Sequence, residues 1–209
     1  MSIHYNRIAG QNLERLAALS DGIFAVAATL LVLDLHTPAS AAIHSEGDLW
    51  QALMKIAPSL LTYLMSFLTL GIFWVGQQTQ LNHFKQSNRY LTWIHLAFLL
   101  VVTLMPFSTS LLSTFITYRL ALVAYWLTIL LLGVLLFVSW RYAQHAKLLK
   151  DDMPAGLLAA NERRIIIAQS LYAFGILLCL FNTYVSISFI VLVQLNYAIA
   201  PRIGLLSRL

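Results

Sequence analysis

Charged residues are scarce in this chain of 209 residues. Asp, Glu, Lys and Arg make up 10% of it, against about 25% in an average soluble domain. Hydrophobic residues account for 60%. A soluble domain of this composition would expose large apolar patches, which excludes soluble enzyme folds. The composition therefore predicts an integral membrane protein.

Cysteine is almost absent. The single Cys179 lies in an apolar run, which excludes a disulfide framework and any zinc site built from several cysteines. The net charge of +5 does not indicate a nucleic-acid partner, because the basic residues fall in short gaps between apolar runs and do not cluster on one polar face. We expect no metal, no cofactor and no nucleic-acid partner.

Six apolar stretches are long enough to cross a bilayer, which takes about 20 residues per helix. They span residues 13–35, 49–80, 90–112, 115–142, 164–181 and 183–200. We therefore predict a single all-α, six-helix transmembrane domain over residues 1–209. The polar end of the second stretch (Gln77, Gln78, Gln80) is expected to project into solvent. Asp21 and Asp34 interrupt the first stretch, which argues against a cleaved signal peptide.

Basic residues are distributed very unevenly between the two sides of these spans. The side that carries both termini holds Arg7, Arg15, Lys85, Arg89, Arg141, Lys147, Lys150, Arg163, Arg164, Arg202 and Arg208. The opposite side has Arg119 alone. The positive-inside rule predicts a cell membrane protein with both termini in the cytoplasm. The first loop (His36, His44, Glu46, Asp48) is weakly acidic, so it is either a solvated loop or an entrance for cations.

The first span differs from the others because it contains polar residues, namely Arg15, Ser20, Asp21, Gly22, Thr29 and Asp34. An ionisable group at membrane depth costs about 2.5–3.5 kcal/mol on insertion scales, so it requires a partner. Arg15 and Asp21 are about 240° apart on a helix and do not pair within it. They belong either to a polar packing network or to an ion site. We expect them to be structural, offset from any pore-lining face.

Two further faces of the first span follow from its spacing. Leu19, Gly22, Val26, Thr29, Leu30 and Leu33 recur at three and four residues and form a stripe. Asp21, Ala25, Ala28 and Val32 form a second face that suits packing against another helix. Spacing alone does not decide whether the stripe packs or lines a pore.

The segment Arg15-Leu-Ala-Ala-Leu-Ser-Asp21 resembles the first-helix signature of the transmembrane protein 175 (TMEM175) family, which is Arg, three residues, then Phe-Ser-Asp. Trp74 near the end of the second span and the Leu-Met-Pro-Phe run ending at Phe107 are also similar to the family. The family includes bacterial and lysosomal potassium channels without a Thr-Val-Gly-Tyr-Gly filter, which this chain also lacks. Leu19 replaces the family's Phe. Gln77 replaces an expected His and still donates and accepts hydrogen bonds.

The resemblance implies a homotetramer of six-helix subunits in which the first helix of each subunit lines the pore. The narrowest ring maps to Val26, further rings map to Leu30 and Leu33, and a hydroxyl layer maps to Thr29. Val is smaller than the Ile or Leu expected at position 26. The gate is therefore formed either by Val26 alone or with a contribution from Leu30, which shares or takes over the closure. Asp34 is either an entrance charge or a solvated helix end. The implied function is a channel with a modest preference for potassium over sodium, embedded in membrane lipid.

Two rival functions are weighed against a channel. A secondary transporter for a cation or small solute is typically built with broken helices or two similar halves around a midplane site. Pro58 and Pro106 are candidate kinks in spans two and three, but the two halves of this chain do not look alike. An enzyme is not expected, since the histidines (His4, His36, His44, His83, His95, His145) have no metal-binding spacing. We expect His95 to be hydrogen-bonded between helices and Asp151-Asp152 to form a solvated turn.

Overall fold

Helices account for the architecture throughout the described residues, 12–153 and 156–199 of the computed structural model. In chain order they are α1 Leu13–Leu31, α2 Glu46–His83, α3 Arg89–Thr103, α4 Met105–Thr114, α5 Arg119–His145, α6 Leu157–Leu177 and α7 Thr183–Ile199. Short 3-10 turns extend α1 over Val32–Asp34 and α6 over Leu178–Leu180. The predicted all-α fold is confirmed.

Five stretches of the described chain are long and apolar enough to cross a membrane. They are Leu13–Asp34, Glu46–His83, Arg89–Thr114, Arg119–His145 and Leu157–Leu180. The sixth predicted span corresponds to the shorter apolar helix Thr183–Ile199. Its expected last residue, Ala200, and the Pro201 that follows it lie outside the described residues.

The third predicted span, residues 90–112, is two helices in the structure. Helix α3 ends at Thr103 and α4 begins at Met105, with Leu104 between them. Pro106 explains the break, because proline has no N–H to donate to the carbonyl four residues earlier and its ring crowds that carbonyl. Pro106 sits in the first turn of α4 instead, where its missing N–H would have no intrahelical partner. Pro58, by contrast, lies within α2 and does not end it.

The fifth predicted span, residues 164–181, begins seven residues too late. Helix α6 starts at Leu157, so Arg163 and Arg164 lie on the helix and not in the connection before it. The polar first turns of α6 form hydrogen bonds with the end of α5. Glu162 accepts hydrogen bonds from Arg141 (3.3 Å) and Gln144 (2.8 Å). A hydropathy boundary missed this polar contact between helices.

The fourth predicted span, residues 115–142, corresponds to helix α5, which runs from Arg119 to His145. The residues before it form a turn in which the Tyr118 N–H donates to the Phe115 carbonyl at 2.9 Å. The second helix extends beyond residues 49–80 at both ends. Ser45 caps its start by accepting from the Asp48 N–H at 3.1 Å, an arrangement typical of helix N-termini.

The connections between α2 and α3 and between α5 and α6 lie at the same end of the bundle. Phe84 and Leu149 form an isolated antiparallel bridge, and the Lys85 N–H donates to the Leu148 carbonyl at 2.9 Å. A small apolar cluster beneath them includes Leu16, Leu81, Phe84, Leu91 and Trp140. We call this end, which carries Lys85, Arg141 and Arg164, the basic end. Asp151 lies in the predicted turn and pairs with Lys85 at 3.4 Å.

Helices α6 and α7 approach closely at Gly175. A Cβ built there would lie 3.0 Å from Ile190 and 3.1 Å from Phe189 on α7. Ser186 of α7 also donates to the Gly175 carbonyl at 2.6 Å. A larger residue at this position would therefore crowd Ile190 and Phe189, and small residues are common where membrane helices meet.

We expect Gly175→Ala to lower the stability of the detergent-solubilised protein by about 1–3 kcal/mol, because the added methyl overpacks the contact. The matched control is Gly71→Ala, since nothing lies within 4 Å of a Cβ at that position and alanine favours the helix. Thermal unfolding followed by circular dichroism provides the comparison. Equal melting temperatures for the two variants would contradict the close packing.

Candidate functional site

Helix α1 has three faces, and one of them is buried in the subunit. The buried residues are Leu16, Ser20, Phe24, Ala27 and Leu31, which recur every three or four positions. This face packs against α2, α3 and α4. The predicted stripe lies on one side of it and the predicted second face on the other. The buried face was not identified from the sequence.

A buried chain of hydrogen bonds links α1 to α2, α3 and α5. Ser20 donates to Oε1 of the Gln77 side chain. The Gln77 amide nitrogen lies 3.2 Å from Nδ1 of His95, and Nε2 of His95 lies 3.0 Å from the Ser139 hydroxyl. All four side chains are buried. The expectation that His95 is hydrogen-bonded between helices is therefore confirmed.

The direction of this chain follows from its first bond. Because Gln77 accepts from Ser20 through its oxygen, its NH₂ group is left to donate to Nδ1 of His95. A histidine that accepts at Nδ1 carries its proton on Nε2, so it donates to Ser139. The chain fixes the neutral Nε2–H tautomer of His95 and leaves none of these contacts with two donors or two acceptors.

The polar end of α2 does not project into solvent as predicted. Gln77 and Gln80 are buried, and the Gln80 amide donates to the Leu136 carbonyl of α5 at 3.1 Å. Gln78 is turned toward α1 instead. The prediction was wrong because it treated amides as solvent-seeking groups, whereas a helix bundle in lipid also stabilises them through hydrogen bonds between helices.

Asp21 finds its partners on α2. Its Oδ1 accepts from the Trp74 indole N–H at 2.8 Å and from the Gln78 amide at 2.7 Å. Trp74 and Gln78 are four residues apart and therefore share one face of α2. The requirement for a partner on another helix was foreseen from the sequence, but the identity of these donors was not.

Arg15 is placed differently from Asp21. It is exposed near the start of α1, where its backbone N–H donates to the Asn12 side chain at 2.9 Å. It precedes Leu19 by four residues and Gly22 by seven, so it lies on the same side of the helix as the stripe. The expected offset holds for Asp21 and not for Arg15.

The stripe residues are exposed on the isolated subunit. Val26 is 58% exposed and Leu33 is 67% exposed, and Leu19, Gly22, Thr29 and Leu30 also belong to the exposed class. Thr29 donates its hydroxyl proton to the Val26 carbonyl at 2.8 Å. Its hydroxyl proton is therefore engaged, and toward any other group the oxygen is an acceptor only. Asp34 is partly buried in the 3-10 turn that follows α1.

The second face of α1 borders a groove against α2. Asp21, Ala25 and Ala28 line it from α1, and Gly71 and Trp74 line it from α2. The small residues Ala25, Ala28 and Gly71 leave room there, and larger side chains complete the wall, namely Phe24, Phe67 and Leu70. Val32, at the far end of this face, is 46% exposed.

Comparison with known proteins finds a family that the first part of the chain is similar to. The profile described as the endosomal/lysosomal potassium channel TMEM175 matches residues 15–106, a range that begins at the Arg of the signature motif. The resemblance to the TMEM175 family is confirmed. The matched range contains α1 to α3, and therefore Ser20, Asp21, Trp74, Gln77 and His95.

Two relatives show how far the TMEM175 similarity extends along the chain. A potassium channel of Streptomyces collinus is 37% identical over 102 residues, which is 49% of this chain and 48% of that protein. The chain thus spans about half the length of the first curated relatives it matches. A potassium channel of Chamaesiphon minutus is 25% identical over 189 residues, covering 88% of this chain and 93% of that one. These relatives are named as channels and not as enzymes.

The fold is also that of a solved TMEM175 homologue. The crystal structure of a lysosomal potassium-selective channel TMEM175 homologue from Chamaesiphon minutus superposes with a TM-score of 0.78 at 23% identity, and covers 90% of this chain and 97% of that one. Because it covers 90% of this chain, the likeness extends beyond residues 15–106, the range of the family match.

We expect Gln77→Leu to destabilise the solubilised protein by about 1–3 kcal/mol, because it leaves the buried Ser20 and His95 groups without their shared partner. Once Ser20→Ala has removed one of these groups, the same change should cost less. Chemical or thermal unfolding of the two single variants and the double variant gives the coupling energy. Strictly additive costs would show that the buried chain does not couple α1 to α2.

The contacts of Asp21 separate an acceptor role from a charge role. Asp21→Asn keeps an oxygen that accepts from Trp74 and Gln78, so we expect nearly unchanged stability. Asp21→Ala removes the acceptor and should cost about 1–2 kcal/mol. Melting temperature and gel filtration of the two variants provide the measurement. If Asn were as damaging as Ala, the negative charge and not the hydrogen bonding would be the required feature.

Proposed function

We propose that this protein is a homotetrameric, potassium-selective cation channel of a cell membrane, with both termini in the cytoplasm and α1 of each subunit lining the pore. The observation that carries the proposal is the exposed stripe on α1. It lies on a helix that Ser20 and Asp21 anchor to α2 from two adjacent positions. The names of the relatives support the channel class.

In the proposed pore, the stripe forms successive rings of apolar side chains. Val26 makes the narrowest ring, with Leu30 and Leu33 next along the axis. Such side chains offer no oxygen to replace the hydration shell of an ion, and a narrow apolar constriction blocks conduction by dewetting. A modest preference for potassium follows, because potassium loses its water at lower cost than sodium.

Thr29 lies in the stripe between Val26 and Leu30, and it supplies the hydroxyl layer. Its proton is donated to the Val26 carbonyl, so the oxygen acts only as an acceptor toward other groups. An acceptor-only oxygen suits a cation that has shed part of its water and disfavours an anion. Asp34 at the end of α1 would add negative charge at the entrance, which also favours cations.

The decisive experiment changes the rings and leaves the rest of the helix alone. Val26→Asn and Leu30→Asn are expected to raise single-channel conductance and to reduce the preference for potassium, because a polar ring lowers the dewetting barrier. The measurement is single-channel recording in bilayers with sodium and potassium on opposite sides. We expect the larger effect from Val26→Asn.

Val32→Asn is the matched control, because Val32 is also an exposed apolar residue of the same segment but lies outside the stripe. It should leave conductance and reversal potential unchanged. If both ring variants behaved like the wild type, α1 would not be the conduction path. A saturating flux that is coupled to a second ion would favour the rival transporter. A conducting particle with other than four chains would contradict the tetramer.

A further inference from the structure

A half-enclosed cavity lies between α2, α5, α6 and α7, in the half of the subunit toward the basic end. Its enclosed volume is about 70 Å³, and it opens at a mouth. Helix α6 packs against α5 and α7 but scarcely touches α2, and the cavity lies in that gap. Its apolar wall is formed by Ile72, Phe73, Leu136, Ile165 and Ala168.

Several polar side chains on the wall have buried atoms without a partner in the described part of the chain. They are Nδ2 of Asn161, Oε1 of Gln169 and the hydroxyls of Tyr172 and Tyr197. Tyr172 is only 1% exposed. Burial of such groups without a hydrogen bond is unfavourable, so native proteins satisfy nearly all of them. Their convergence on one cavity points to a ligand that supplies polar atoms.

The charge of the cavity defines the class of that ligand. Arg164 lines the mouth and is exposed, and its guanidinium carbon lies 6.0 Å from the centre of the Tyr197 ring. Among the described residues Arg164 has no carboxylate partner, because the nearby Glu162 pairs with Arg141. None of the described lining residues is acidic. One guanidinium beside amide and hydroxyl donors favours an anionic group with several oxygens.

We propose that this cavity binds the anionic headgroup of a membrane lipid. Its phosphate oxygens would accept from Arg164, from the Asn161 amide and from the tyrosine hydroxyls, and a hydroxyl of the headgroup would donate to Oε1 of Gln169. The glycerol backbone and the acyl chains would lie outside the mouth, and basic pockets between membrane helices are typical headgroup sites. The site is distinct from the α1 stripe and does not depend on the proposed channel function.

The test measures lipid retention by the full chain and needs no flux assay. Protein is purified from vesicles of phosphatidylglycerol and phosphatidylcholine in equal parts, and the lipid that remains bound is counted by native mass spectrometry. We expect selective retention of phosphatidylglycerol. Arg164→Gln and Tyr172→Phe should each weaken this retention, the arginine change by about tenfold, because it removes a charge-assisted hydrogen bond.

Arg163→Gln is the matched control. It removes the same charge from the neighbouring residue, whose side chain does not line the cavity. It should retain lipid like the wild type, and Arg164→Lys should retain more than Arg164→Gln. Equal losses in Arg163→Gln and Arg164→Gln would overturn the proposal, as would equal retention of phosphatidylcholine. Displacement of the lipid by inorganic phosphate at equal concentration would assign the site to a soluble anion and not to a lipid. Melting temperatures verify that each variant is folded.

Discussion

The architecture depends on one constraint, which is that a polar group at membrane depth must find its hydrogen-bond partner inside the protein. Helix α1 carries Ser20 and Asp21 at adjacent positions, and both are satisfied from α2. Ser20 reaches the buried Gln77, and Asp21 accepts from Trp74 and Gln78. Adjacent residues on a helix point about 100° apart. Two such contacts therefore fix the rotation of α1 about its own axis as well as its distance from α2.

That rotation decides which residues of α1 remain without a partner in the subunit. With Ser20 turned inward and Asp21 turned sideways, Val26 and Leu33 are left on the far side of the helix, where they are exposed. A purely apolar helix would have no comparable constraint, since Leu packs against lipid about as well as against another helix. Polar contacts thus set the orientation of an apolar surface, which is the surface that the proposed pore uses.

Periodicity and hydropathy predicted the all-α fold, the position of most spans and the polar character of the first helix, because these depend on local sequence. They misplaced the start of α6, where Glu162 contacts Arg141 of another helix. They also placed Gln77 and Gln80 in solvent, although both are buried. Such errors arise because an amide has no fixed preference. A glutamine side chain lies in solvent or in the bundle according to whether a partner such as the Leu136 carbonyl or His95 is within reach. Whether such a partner is near depends on the tertiary structure.

Gln77 is, with Leu19, one of two positions where this chain departs from the TMEM175 signature that it resembles, and its contacts explain why an amide fits there. The site requires an acceptor toward Ser20 and a donor toward His95 at the same time. A single neutral amide supplies both, and it does so without titrating, because its oxygen and nitrogen have fixed roles. A histidine at position 77 would supply the same pair only as one of its two neutral tautomers. At position 77, the amide therefore makes the donor-to-acceptor direction of the hydrogen-bond chain, from Ser20 to Ser139, independent of pH.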